Sequence, residues 1–265
     1  MKQRIITGVV AAALFIPFVI YGKLPFTILV YAIAFVGIYE ILRMKGIHIM
    51  SVPGVLSLLA TATLLMPSEW TEMVQKVTTY SKIELLFIAV ILLLVYSVLV
   101  KNKFTFDDVA FVILSTLYVG LGFYYLIATR EAGLAFVIFA LLIVWTTDSG
   151  AYFTGRKFGK NKLWPEISPN KTVEGFVGGI VIAVIAAVIM QFIAPFEGKT
   201  WLILIVATVV SSIFGQMGDL VESAIKRHYD VKDSGNILPG HGGILDRFDS
   251  LLFVLPLLHL LHFVN

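Results

Sequence analysis

The chain has 265 residues, of which 58% are hydrophobic and only 14% charged, with a formal net charge of +3. An average soluble domain carries about 25% charged residues, and the long uncharged stretches here lack the polar faces that helices of a soluble protein would show, which excludes that class. The absence of cysteine also removes disulfides, thiolate zinc ligands and a cysteine nucleophile.

Nine apolar stretches follow in chain order. Residues 5–22, 49–68, 109–129, 175–196 and 200–218 approach or exceed the ~18–20 residues that cross a hydrocarbon core as a helix. Residues 24–39, 85–100, 132–147 and 250–265 are shorter, and reach across with interfacial flanks and local thinning of the bilayer. The expected fold is therefore all-α: a polytopic integral membrane protein of about nine transmembrane helices. The opening Met1-Lys2-Gln3-Arg4 is followed by an apolar run without a small-residue cleavage site, so an uncleaved first helix is expected rather than a removed signal.

Charge distribution orients the spans. With the N-terminus inside, one side carries Lys2, Arg4, Arg43, Lys45, Lys101, Lys103, Arg156, Lys157, Lys160, Lys162, Lys171, Lys226, Arg227, Lys232 and Arg247. The other carries Lys23, Lys76, Lys82, Arg130 and Lys199. Basic residues gather on the cytoplasmic ends of membrane proteins, so N-in and C-out is expected.

Two regions differ in character. Residues 1–130, about five spans, have short connections and few polar groups. Glu40, near the end of the second apolar stretch, is the unusual one. It reads as a carboxylate snorkelling to the interface beside Arg43, with a functional acid as the alternative. Residues 131–265 hold two polar cytoplasmic loops, 148–174 and 219–249, on the same predicted face, which suggests one catalytic region built from both.

The segment 223–249 concentrates charge between two apolar stretches, and ionisable groups at a membrane boundary are functional candidates. If the span before it continues as a helix, Asp219, Ser223, Lys226 and Arg227 recur at spacings of three and four and share one face. A carboxylate beside paired cations can hold a metal while the cations hold phosphate oxygens; interfacial salt bridges are the equal alternative. The Pro239-Gly240-His241-Gly242-Gly243 turn permits close approach of backbone amides to an anion. Asp246, Arg247 and Asp249 follow at once. In the other loop, Asp148, Tyr152 and Arg156 are one turn apart, Asp148 is expected at the floor of a site, and Lys171, Thr172 and Glu174 could form a further anion clamp. A solvated basic loop attracting anionic headgroups is the plainer reading.

Ser223-x-x-Lys226-Arg227, Lys232-Asp233 and Pro239-x-His241-Gly242-Gly243-x-x-Asp246-Arg247-x-Asp249, with Ser168-Pro169-x-Lys171-Thr172-x-Glu174-Gly175 in the other loop, together resemble the phosphatidate cytidylyltransferase (CDP-diacylglycerol synthase) family. The resemblance implies an enzyme of the cytoplasmic membrane that transfers CMP from CTP to phosphatidic acid, releasing pyrophosphate. It implies Mg²⁺, possible use of a second cation, a lipid bilayer as its setting, and a homodimer; no nucleic-acid partner is expected. Such a reaction brings two polyanions together and stabilises a leaving pyrophosphate, which calls for metal-holding carboxylates among Lys and Arg. Asp219 and Asp246 are the expected principal metal ligands, with Asp249 and Asp148 the weaker candidates. Lys226, Arg227, Lys232 and Arg247 are expected on the triphosphate or lipid phosphate, aided by Lys171, Ser223 and the His241-Gly242-Gly243 turn. The competing readings are a CTP-using enzyme acting on another lipid phosphate or a polyprenol, and an ion-coupled transporter, whose acids would lie near the bilayer midplane.

Overall fold

The computed structural model describes residues 2–264, and side chains from Ile6 onward; Lys2 and Arg4, part of the charge argument above, therefore have no described side chains. The elements are α1 (Lys2–Tyr21), α2 (Lys23–Met44), α3 (Val52–Leu65), α4 (Ser68–Thr78), α5 (Lys82–Leu99), α6 (Phe106–Ala132), α7 (Leu134–Phe158), β1 (Lys162–Trp164), β2 (Ser168–Thr172), α8 (Val173–Ile193), α9 (Trp201–His228), α10 (Leu245–Phe248) and α11 (Leu251–Leu260).

Each of the nine apolar stretches contains a helix, but they are not equivalent. Among the described residues six helices (α2, α5, α6, α7, α8 and α9) are long and apolar enough to cross a membrane, or seven if α3 and α4 count as one broken span. The stretch 49–68 fails as a straight span because Pro67 ends α3, and α4 leaves it at 115°. α4 is amphipathic, with Trp70, Met73 and Val77 against Glu69, Glu72 and Lys76, the composition of a helix lying in an interface rather than crossing one. The apolar helices at the two ends, Ile6–Tyr21 and Leu251–Leu260, are shorter than the six.

The chain divides into two compact units: one runs up to Ala128 and includes Asp233–Leu245, the other comprises Thr129–Lys232 and Asp246–Asn265. In the first, α2 buries the stripe Val30, Ala34, Ile38 and Leu42, all fully buried, at the four-residue repeat of one helix face. Two polar pairs tie its helices together: Ser57 and Thr116 hydroxyls lie 2.7 Å apart, and the Tyr31 hydroxyl donates to the Ala62 carbonyl.

The second unit is organised by small residues. Gly175, Gly179, Ala183 and Ala187 form the buried face of α8, a small residue every four positions. That pattern lets membrane helices approach closely in the absence of a hydrophobic drive between them. At Gly150 of α7, a Cβ would meet the Ile182 side chain and stand 3.1 Å from the Gly179 Cα. Gly215 and Gly218 do the same for α9 against α11: a Cβ on Gly218 would meet the Asp249 carbonyl and the Phe253 ring. The buried hydroxyls of Thr147 and Ser212, 2.8 Å apart, join α7 to α9. At the other end of the unit, Phe136, Phe139, Phe196 and Phe263 stack with ring centroids 4.7–6.0 Å apart.

The loop 148–174 is shorter than expected, because α7 continues to Phe158. What remains folds into a small antiparallel hairpin, Lys162 opposite Thr172 and Trp164 opposite Ser168, the one departure from an all-helical chain among the described residues. Its base is fixed by Glu174, which accepts from the Lys160 and Asn161 amides and the Asn161 side chain.

Candidate active site

In the second unit, α7, the hairpin, the first turn of α8 and the second half of α9 line a cavity of about 570 Å³, within the usual range for a small-molecule site. Asp148, Tyr152 and Arg156 line it from successive turns of α7, as their spacing of four predicts. Lys160, Lys162 and Lys171 line it from the hairpin, and Asp219 from α9. The two polar loops do meet here: Lys171 Nζ lies 2.5 Å from Asp219 Oδ2. Asp148 stands in the cavity wall with part of its surface exposed, within electrostatic reach of Asp219, Lys171 and Arg247.

Further along α9 the acids continue. The Ser223 hydroxyl donates to Asp219 Oδ1 at 3.3 Å, from the next turn. Lys226 Nζ sits 2.6 Å from Asp246 Oδ1 and 3.4 Å from Glu222 Oε2, with those carboxylate side chains 6% and 1% exposed. The short α10 delivers Asp246, and the close packing at Gly218 brings the Asp249 backbone onto α9. The Asp249 carboxylate accepts from the Ser250 amide; desolvation, with the negative charge of Asp219 behind it, pushes its pKa from 3.8 up to about 6.

Five carboxylates (Asp148, Asp219, Glu222, Asp246 and Asp249) thus stand among Lys171, Lys226 and Arg247. Desolvating such anions costs several kcal/mol each unless they are compensated, so a surplus of acid marks a place for an additional cation. The donors are all hard oxygens, the type that suits Mg²⁺. Among the described residues no three Asp, Glu or His side chains are already gathered into a metal-holding group. The residues present fit such an ion.

Other expected residues lie differently. Arg227, Lys232 and Arg247 are exposed, while Lys226 is largely enclosed. Thr172 and Glu174 do not form an anion clamp: the Thr172 hydroxyl caps α8 by accepting from the Gly175 amide, and Glu174 holds the hairpin. His241, Gly242 and Gly243 fold within the first unit, where Leu238 pairs with Gly242 and the His241 amide donates to the Leu238 carbonyl. Gly242 has a φ of 82°, the left-handed backbone that glycine supplies.

Two acids were misjudged or overlooked in the sequence. Glu40 does not snorkel. It is 1% exposed and accepts from the Ile244 amide at 2.9 Å, the Leu245 amide at 3.0 Å and the Ser234 hydroxyl at 3.3 Å. The reason is that α2 extends past the expected span, to Met44, and keeps Glu40 on its buried face with Gly37 and Ile41. Glu222 is an acid beyond those the sequence expectations name; its spacing of three from Asp219 and four from Lys226 places it between them on the helix.

Comparison with known proteins gives the chain's family. Residues 2–264 match the model of the cytidylyltransferase family. The chain is 56% identical over 264 residues to the phosphatidate cytidylyltransferase of Bacillus subtilis, covering 98% of this chain and 97% of that protein. It is 49% identical over 261 residues to that of Staphylococcus haemolyticus and 47% to that of Staphylococcus aureus, each match covering 98% of both chains. A match over nearly the whole length, with the acid and lysine cluster inside it, shows that the chain belongs to the cytidylyltransferase family and is a nucleotidyltransferase.

Proposed function

We propose that the chain transfers CMP from CTP to phosphatidic acid, giving CDP-diacylglycerol and pyrophosphate. The observation that carries the reading is the cavity in which Lys171 pairs with Asp219, in a chain whose relatives are named phosphatidate cytidylyltransferases. An oxygen of the phosphatidate phosphate, ionised near neutral pH, attacks the α-phosphorus of CTP. A new P–O bond forms, the bond from the α-phosphorus to the bridging oxygen breaks, and pyrophosphate leaves with the electron pair. No strong base and no covalent nucleophile is required.

The side chains act by charge and position. Lys160, Lys162, Lys171 and Arg156 draw the triphosphate into the cavity and offset the repulsion between two polyanions. Lys226 holds Asp246 and Glu222 in place, and Arg247, Arg227 and Lys232 meet the lipid phosphate or the outer phosphates of CTP. Mg²⁺ held by Asp219, Asp246 and Asp249, with a second cation as a further expectation, would neutralise the phosphates and the leaving pyrophosphate.

The finer topology is part of the same proposal: nine spans with the two terminal apolar helices included, N-in and C-out in the cytoplasmic membrane, with the site facing the cytoplasm that supplies CTP. Supporting it is the basic bias of the hairpin and of the α9 end. Assembly as a homodimer completes the expectation.

Purified protein incubated in mixed micelles with CTP and a panel of lipid phosphates tests the reading. Phosphatidic acid should be the preferred acceptor, and CDP-diacylglycerol the lipid product. Preference for a polyprenol or a different lipid phosphate would reassign the substrate.

A further inference from the structure

We infer that Glu40 is a positioning residue for the reaction: a buried carboxylate that latches the segment Asp233–Leu245 and so sets where the chain enters Asp246. The inference rests on the proposed reading of the site for its effect on turnover, but the latch itself is a matter of geometry within the first unit.

Three donors converge on one side chain. The Ile244 and Leu245 amides and the Ser234 hydroxyl all reach Glu40 across about two hundred residues of sequence, with separations of 204, 205 and 194. Charge-assisted hydrogen bonds of this kind are roughly twice as strong as neutral ones. The glycines beside the carboxylate match it. A Cβ on Gly235 would collide with the Glu40 carboxyl group, and one on Gly243 with the Ser234 hydroxyl and that carboxyl group together; neither glycine has the positive φ found at Gly240 and Gly242. Space for the acid, not backbone freedom, is therefore what these two positions require. The anion served by the amides after the glycine turn is the protein's own, held on α2. Leu245, whose amide Glu40 holds, is joined by one peptide bond to Asp246, the partner of Lys226. Displacing the latch moves the start of α10, and misplacement by about 1 Å near a reacting centre can cost ~10²-fold in rate.

The structure also states what would restore it. Glu40→Gln keeps the size but turns an amide NH₂ toward a donor. Glu40→Asp keeps the charge but falls one methylene short. Gly235→Ala fills the space that the carboxyl group occupies. If the contact is direct, Gly235→Ala combined with Glu40→Asp should recover activity relative to Gly235→Ala alone, because the shorter acid makes room for the added methyl group.

The experiment uses the full chain in detergent, with two readouts. One is kcat and KM for CTP with phosphatidic acid; the other is the rate of tryptic cleavage after Lys232 and Arg247, which flank the latched segment. Glu40→Gln and Gly235→Ala should lower kcat by about tenfold or more at temperatures well below their thermal midpoints, and should be cleaved faster than wild type. The Gly235→Ala, Glu40→Asp pair should regain part of both. Wild-type kcat and wild-type cleavage in Glu40→Gln and Gly235→Ala would overturn the inference, as would the absence of recovery in the pair. An inactive wild type whose variants are nonetheless cleaved faster would keep the latch and discard the proposed reaction instead.

Discussion

Asp249 shows how the site's chemistry is set one residue at a time. Its pKa is raised to about 6 by desolvation first and by Asp219 second. An acid whose folded pKa lies above its unfolded value binds more protons when folded, so its contribution to stability is lost as pH rises from about 4 to about 6. The thermal midpoint without added divalent cation should therefore be higher at pH 5 than at pH 7. Asp249→Asn should flatten that dependence; an unchanged slope in the variant would contradict the assignment. Lys226 is the complementary case. Its removal strands the Asp246 carboxylate without its cation, and breaking such a pair from one side costs about 3–5 kcal/mol. Lys226→Met should lose stability of that order in denaturant titrations, and Lys226→Met with Asp246→Leu should recover much of it while remaining inactive.

Elements place these residues through small side chains. Gly179 lies against the Thr147 carbonyl, and a Cβ there would also stand 3.3 Å from the Ala151 Cβ. Gly179→Leu should force α7 from α8, destabilising by about 1–3 kcal/mol and weakening CTP binding in an equilibrium assay, since Asp148 and Lys171 ride on opposite sides of that contact. The cluster on α9 was partly legible in the sequence, because spacings of three and four map directly onto a helix face: the Ser223 hydroxyl reaches Asp219 one turn away and Lys226 reaches Glu222, whereas Arg227 is exposed. Glu40 was not legible. Its partners lie some two hundred positions away, and only the fold reveals that a span outlasts its apolar run and turns a carboxylate inward. The hairpin was equally hidden, since the capping by Thr172 and the amides gathered by Glu174 depend on a turn that no spacing rule marks.

At the scale of the molecule, apolar length alone identified a polytopic chain and put a helix in each of nine stretches. It could not separate a crossing helix from a bent or short one, because Pro67 and the amphipathic pattern of α4 act on direction rather than on hydropathy. Orientation follows from charge, and the absence of cysteine makes it measurable. Lys157→Cys should react with an impermeant maleimide only after the membrane is opened, while Lys76→Cys should react in intact cells. The reverse pattern would invert the proposed topology. The central claim is that the carboxylate and lysine cluster of the second unit carries out metal-assisted CMP transfer. It is tested most directly by titrating Mg²⁺ while following pyrophosphate and CDP-diacylglycerol together, in wild type and in folded Asp219→Asn. The account predicts equimolar, Mg²⁺-dependent products from wild type and a loss of about 10²-fold or more in the variant. Metal-independent turnover, or full activity without the Asp219 carboxylate, would contradict it.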